Sequence, residues 1–404
     1  MPRDLIRISL FGSFHPDHSN AASSTTGIAY LLDSCASVCR LDVYGPDNST
    51  LPKSIRSGKT RLTEAWKLDD PISLIRTAIS MSLNRGSTDA YLFNIYLTSF
   101  GRRRISNGIG LLVPVCVRFL SLRPVVVYLH SLLETQDVTA LGYSPGRLER
   151  FAVRLLEMMI ARTTKLAMPI RGNVTAVRRE LGLLPAVLTL PFVDAVYLSR
   201  DAAPLQKGKV EEAEVASHGL NVLLFGAWGP QKDLLGVVNS LQRLGPQGLV
   251  TKIRIAGHIN PKFPEYAQVI RKIAEGAKAG NSVPGIEIID NPSDEQIPAI
   301  FEWADVLILP YVALAGFSGV LNLGGFFGCE ILAYDVQGLR ECAETLGLEV
   351  TFVPASDEHR LIEGLETVRG RVSERIRRPT EVQRALQLAR KGGSELVELV
   401  LTCL

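Results

Sequence analysis

Three places in the 404-residue chain carry residue types suited to holding a phosphate and taking up its charge. The first is the loop Ala315-Gly316-Phe317-Ser318-Gly319. It follows an apolar strand, Val306 to Leu309, stopped by Pro310, and leads into an apolar helix, Val320 to Phe327, closed by Gly328. The first amides of such a helix have no partner within it, and the helix dipole is positive at that end. Two glycines and a serine leave room for a phosphate to approach them. A turn that only reverses the chain would use the same glycines. The second place is Lys232, in Gly226-Ala227-Trp228-Gly229-Pro230-Gln231-Lys232-Asp233, between a strand from Asn221 to Phe225 and a helix from Leu234 to Leu244. An ammonium in a strand-to-helix loop can neutralise a diphosphate, although an isolated lysine is more often a solvated surface group. The third is His130, which closes the strand Val125 to Leu129. The C-terminal ends of parallel strands face the crevice where α/β proteins bind ligands. A histidine there can equally be structural, bonded to a neighbouring loop. Glu134 lies close by as a weaker candidate.

Other chemistry-bearing residues lead nowhere. His15 and His18 have no carboxylate or third histidine placed with them, so they are read as loop histidines. Ser57-Gly58-Lys59-Thr60 imitates a P-loop, but the glycine needed five residues earlier is Lys53, which leaves a basic surface loop. Cys35 and Cys39 are four apart, on one face if helical, yet no second pair completes a zinc site among the six cysteines. Buried free thiols in a reducing compartment account for them.

The elements that must position these residues alternate. Leu5 to Phe11 reads as a strand; a loop from Gly12 and a Ser/Thr/Asn run reach Gly27; a helix Ile28 to Val38 and a strand Arg40 to Tyr44 follow. No Gly-x-Gly-x-x-Gly follows the first strand, so a dinucleotide fingerprint is missing. Strands Ala90 to Tyr96 and Leu166 to Met168, a helical tract through Leu122, and helices Pro145 to Ala161 and Arg171 to Glu180 continue the pattern, with a strand around Val187 to Leu190. Residues Ser199 to His218 are charged, alanine-rich and without an apolar period, as a linker would be. Beyond them come strands Ile253 to Ala256, Ile286 to Ile289, Ile331 to Tyr334 and Glu349 to Val353, and a terminal helix from Thr380 to Leu401. The fold class is therefore α/β, with two doubly wound, Rossmann-like domains. Expected boundaries are 1–198, a linker 199–220, 221–379, and 380–404 for the terminal helix.

Hydrophobic residues make up 46% of the chain, enough for large cores and too many for disorder. The longest apolar tract, Ile109 to Leu129, is broken by Pro114, Arg118, Arg123 and Pro124, so it is not read as a membrane span. Arg3, Asp4 and Arg7 punctuate the start, which argues against a signal peptide and for a cytoplasmic chain. Residues 1–200 hold 24 Lys+Arg against 15 Asp+Glu, a balance of +9, and residues 201–404 hold 20 against 26, a balance of −6. The basic first half suits an anionic partner, a lipid phosphate or membrane headgroups; no nucleic-acid recognition motif accompanies it. Peripheral contact with the inner face of an anionic membrane is the expectation. Scattered solvated charge is the plain alternative.

The stretch 221–341, and more loosely the whole chain, resembles the retaining glycosyltransferases of family 4. That family runs strand, Pro-Ser, Glu-Gly-Phe-Gly, a helix with a second Glu, a Gly-x-Pro turn, a strand, then Gly-x-x-Glu. Pro310, Gly316-Phe317, Gly328 and Gly338-Leu339-Arg340-Glu341 stand at the matching places. Ala315 and Leu323 stand where the two glutamates would be, and Glu330 replaces the proline. Upstream, Lys232 matches the lysine of a Gly-Arg, four-residue, Lys-Gly pattern, while Ala227 and Asp233 depart from it. The resemblance implies a GT-B fold with two domains facing a cleft, and a terminal helix crossing back to the first. It implies transfer of a sugar, with retention, from a nucleotide-diphospho-sugar to a lipid-linked, glycan or polysaccharide acceptor, without a cofactor or a metal. The lack of any Asp-x-Asp agrees with metal independence. Lys232 and His130 would be catalytic. Gly226, Trp228, Gly316, Phe317, Ser318, Gly319, Val320 and Asn322 would bind the donor. Gly12, Ser24, Thr25 and Gly27 would form a small-residue loop toward acceptor and phosphates. Because both glutamates are missing, a non-catalytic nucleotide-sugar-binding or scaffold protein stays open, as does a sugar-nucleotide epimerase.

Overall fold

The computed structural model describes residues 5–14, 20–52, 55, 57–97, 99–101, 103–133, 145–187, 219–244, 248–260, 263–279, 284–293, 295–314, 317–375, 391 and 394–404. They form two compact units, one from the described residues of 5–187 with 391–404, the other from those of 219–375. The linker expected at 199–218 lies outside the described residues, as do His15, His18 and Glu134.

The first unit is built on a seven-stranded sheet whose strands pair in parallel. Its strands are β1 (Ile6–Phe11), β2 (Val38–Pro46), β3 (Thr60–Trp66), β4 (Ala90–Ile95), β5 (Val125–Leu129), β6 (Lys165–Met168) and β7 (Ala186–Val187), in the spatial order 3-2-1-4-5-6-7. The helices are α1 (Asn20–Ser34), α2 (Pro71–Leu83), α3 (Arg104–Ser121), α4 (Arg147–Thr163) and α5 (Arg171–Leu181). Period-2 alternation sends Tyr91, Phe93 and Ile95 of β4 to the face covered by α2, α3, α4 and α5. Ala90 and Leu92 go to the face covered by α1, where the terminal helical segment 394–401 adds Leu396, Val397 and Val400. Helix α3 has the length and composition of a membrane span, with a mean hydropathy of 1.2, but 44% of it is buried in this layer.

The second unit has a six-stranded sheet, also paired in parallel: β8 (Leu220–Trp228), β9 (Val250–Ile259), β10 (Gly285–Asp290), β11 (Val306–Leu309), β12 (Glu330–Tyr334) and β13 (Thr351–Val353). Their order is 10-9-8-11-12-13. Helices α6 (Leu234–Leu244), α7 (Ala267–Ala279), α8 (Ile297–Trp303), α9 (Gly319–Phe326), α10 (Gln337–Leu346) and α11 (Glu358–Arg375) cover it. Leu234, Val237, Val238, Leu241 and Leu244 of α6 recur at helical spacing and all sit in the core. Each such side chain contributes roughly 1.5–3 kcal/mol on burial.

Several expectations need correction. Helix α1 begins at Asn20, so Ser24, Thr25 and Gly27 lie on a helix and not in a loop. Ser and Thr are weak helix formers, but Ser24, Thr25 and Thr26 are fully buried, and tertiary packing overrides propensity. Helix α1 ends at Ser34, so Cys35 follows it while Cys39 belongs to β2; the two share no helical face. The basic loop at Ser57 leads straight into β3 at Thr60 and is tied down, Lys59 Nζ donating to the Cys35 carbonyl at 2.6 Å.

Candidate functional site

In both sheets the strand order reverses at one place, between β1 and β4 and between β8 and β11. Parallel α/β sheets bind ligands outside the carboxyl ends of the strands at such points. Each unit gathers its candidate residues there.

In the second unit β8 ends at Trp228 and β11 ends at Leu309, side by side through Val222–Leu224 and Val306–Ile308. The loop after β8 is bound to the loop after β11: the Asp233 amide donates to the Pro310 carbonyl at 2.8 Å, and the Val312 amide to the Gln231 carbonyl at 3.0 Å. Lys232, between them, is only 3% exposed. Its Nζ donates to the Phe225 carbonyl at 3.3 Å and lies 4.8 Å from the ring centres of both Trp228 and Tyr311. Burial lowers its pKa to about 7. The carbonyl and the two ring faces are what favour its charged form. Gly226 has φ +121°, and a Cβ there would come within 2.7 Å of Nζ and 3.1 Å of a Val320 methyl. Only glycine leaves space for the ammonium beside the first turn of α9. Asp233 does not continue the loop as a glycine would; its carboxylate accepts from the Gly236 amide at 3.0 Å at the start of α6 and from the Tyr334 hydroxyl at 3.2 Å.

Ser318 is the N-cap of α9, its Oγ accepting from the Leu321 amide at 3.2 Å. That bond satisfies one first-turn donor, while the amides of Gly319 and Val320 lie outside the helix's own ladder. The Ser318 side chain also lies beside Tyr311, whose phenol is pushed up to about 12 by burial. Tyr311, which sequence reasoning passed over, therefore links Lys232 to the start of α9. Phe317 and Asn322 are buried beside that start. Gly316 and Ala315 lie outside the described residues. Trp228 forms a buried floor under Lys232 and joins the core. Glu330, which stands for the family's proline, is buried and paired with Arg371 at 2.9 Å.

In the first unit His130 follows β5 and is fully buried. Its Nε2 is 2.7 Å from Asn94 Oδ1, and Asn94 Nδ2 donates to Thr25 Oγ1 at 2.8 Å. The ring stacks on Tyr96 at 3.8 Å between centres, and the His130 carbonyl accepts from Asn173 at 3.2 Å. Burial holds its pKa well below the ordinary 6.5, so the imidazole is neutral. A Cβ on Gly12 would meet Thr25 Oγ1 at 2.7 Å and the Asn94 carbonyl at 3.0 Å. Ser24 Oγ is 3.5 Å from Asn94 Oδ1. Gly12, Ser24, Thr25 and His130 thus converge on Asn94, the residue sequence reading missed. Asn94 was visible as the one amide in the apolar run Ala90 to Tyr96. Gly27 lies further along α1 and is buried. His130 is a member of a packed polar network, which is the structural role a histidine at this place can have.

Among solved structures the chain is similar to HepE of Anabaena in complex with UDP and glucose, at 14% identity and TM-score 0.67 over 98% of this chain and 99% of that one. It is similar to a glycosyltransferase from Rickettsia africae, at 12% identity and TM-score 0.67, covering 98% and 99%. A sucrose-phosphate synthase from Thermosynechococcus elongatus matches at 12% identity and TM-score 0.63, covering 98% and 97%. The fold is GT-B. No protein-family profile matches the chain, and no curated protein matches it by sequence. Identities this low carry the GT-B architecture and leave the chemistry to the residues. The GT-B expectation drawn from the sequence and the architecture of the two sheets agree.

Proposed function

We propose that this GT-B chain transfers a sugar from a nucleotide-diphospho-sugar to a lipid-linked, glycan or polysaccharide acceptor, with retention and without a metal. One observation carries the reading: a buried ammonium, Lys232, stands beside the first turn of α9 at the switch point between β8 and β11. A departing nucleoside diphosphate gains negative charge as the bond between the sugar's anomeric carbon and the β-phosphate oxygen breaks. Lys232 and the amides of Gly319 and Val320 would meet that charge, fixed in place before the reaction begins. Gly226, Phe317, Ser318 and Asn322 would shape the donor pocket around them. The solved HepE structures hold UDP and UDP-glucose, which supports a uridine donor as the first to try. In the first unit, neutral His130 and Asn94 would hold the loop at Gly12 in shape for the acceptor.

The test is a thermal-shift screen of UDP-, GDP- and ADP-sugars, followed by product analysis with the stabilising donor. A ligand at 100 times its dissociation constant raises stability by about 2.7 kcal/mol. Stabilisation by one nucleotide-sugar together with release of its nucleoside diphosphate supports the reading. No stabilisation by any of them sinks it. A second reading rests on Ala315 and Leu323, which replace the two carboxylates that in the resembling family hold the donor's sugar and ribose. Under it the chain binds the nucleotide-sugar without turning it over, and stabilisation appears with no product. A donor converted to its epimer with no acceptor present would favour an epimerase.

A further inference from the structure

Of the four helices that cover one face of the first unit's sheet, three, α2, α3 and α4, leave an apolar stripe on the outer side. On α2 the stripe is Ile72, Ile75, Ile79 and Leu83, spaced i, i+3, i+7 and i+11, on the far side from buried Leu74, Ala78 and Met81. On α4 it is Leu148, Phe151 and Leu155, with Leu148 87% exposed. On α3, between them, Ile105, Phe119 and Leu120 are exposed. Helix α2 packs on α3 and α3 on α4, so the stripes belong to one helix layer. Scattered apolar side chains on a surface need no explanation, but three adjacent stripes on one layer do.

The charge on the same helices is mostly positive. Together they carry seven arginines and two glutamates. Both carboxylates are engaged: Glu149 pairs with Arg104 at 2.7 Å, and buried Glu157 accepts from the Leu133 amide at 2.8 Å. Arg76, Arg147 and Arg150 are exposed at the edges of the stripes. Aliphatic and aromatic side chains flanked by arginine, with no carboxylate left open, suit the boundary between acyl chains and anionic headgroups. An acidic protein surface would satisfy the arginines but would leave the isoleucine stripe of α2 without an apolar counterpart.

We propose that the outer face of α2, α3 and α4 docks peripherally on an anionic lipid bilayer. The inference concerns a surface separate from Lys232 and α9 and stands without the transferase reading. The test is co-sedimentation of the full chain with vesicles of phosphatidylcholine alone and of phosphatidylcholine with phosphatidylglycerol, at low and high salt. Binding is expected to the anionic vesicles only and to weaken with salt. Arg147→Gln with Arg150→Gln should weaken partitioning roughly 30-fold, and Ile75→Ser with Ile79→Ser should abolish it. Both variants should keep the wild-type melting transition and the wild-type thermal shift with nucleotide-sugar, so a failure of the membrane face is told apart from a failure of the donor site. Equal binding to neutral vesicles, no binding to anionic ones, or loss on the arginine change but not on the isoleucine change each overturns the proposal. So does a wild-type dimer that Ile75→Ser with Ile79→Ser splits, which would make this face a contact between copies.

Discussion

Lys232 is an ammonium with a carbonyl and two aromatic rings in place of water. Its pKa, pulled down to about 7 from the ordinary 10.5, makes it both a stability determinant and a proton acceptor. In the unfolded chain the amine keeps its proton to about pH 10.5. Above about pH 7 the folded chain has released that proton while the unfolded chain still holds it. The unfolded state then binds more protons, so this group makes stability rise from about pH 7 to about pH 10.5. At higher pH, Cys342, pushed up to about 12 by burial, contributes the opposite slope. Lys232→Met should flatten the rise, read as the difference between wild-type and variant melting temperatures across that range. A difference that does not change with pH would mean the amine is solvated in the fold. A diphosphate placed beside Nζ should return the proton, so UDP binding at pH 8 should take up a proton, seen by calorimetry in buffers of different ionisation enthalpy. In the same assays Lys232→Ala should lower the rate on the order of 100-fold while weakening donor binding far less, because the charge it meets grows in the transition state. Wild-type turnover by that variant would make Lys232 a structural lysine.

At the scale of elements, the start of α9 is set by Ser318. Ser318→Ala removes a cap worth typically about 1 kcal/mol at the turn beside Tyr311, so it should lower the melting temperature and loosen the donor site together. Gly319→Val puts a branched side chain on the first turn, where a phosphate would approach. It should abolish calorimetric binding of the nucleoside diphosphate and leave nucleoside binding nearly intact. Equal loss of both would mean the substitution has unfolded the loop. The sequence made α9 and the strands on either side of it readable because apolar runs, Pro310 and Gly328 punctuate them. Helix α6 was legible to the residue from its apolar spacing. No strand or helix between Tyr44 and Ala90 was assigned, only a basic loop at Ser57. There β3 is an edge strand with mostly polar, partly exposed residues, and α2 has isoleucines on the side away from the core, so neither shows the usual pattern of apolar in and polar out. The start of α1 was hidden by its serines and threonines, which favour caps and turns until burial against Asn94 holds them in a helix.

At the scale of the whole molecule, two sheets with reversed strand order give two switch points, and the sequence named a candidate at each: His130 in one and Lys232 in the other. What it could not give was Asn94 and Tyr311, because each joins residues far apart in the chain. Asn94 bonds Thr25 across 69 positions, and Tyr311 covers an amine 79 positions earlier. Long-range pairing leaves no local period to read. The two sites differ in kind. The first is a neutral, buried network centred on Asn94, and the second holds an ammonium with no carboxylate within bonding distance among the described residues. An anion should therefore find the second unit first. Amide hydrogen exchange with UDP alone should show slowed exchange in peptides covering 225–233 and 317–324, and the Lys232→Ala variant should show less of it in both. Exchange at 24–29, 93–95 and 130–133 should stay unchanged under UDP, since a buried neutral imidazole offers no charge to a phosphate. Protection confined to those first-unit peptides would move the phosphate site to His130 and Asn94 and would overturn the assignment to Lys232 and α9.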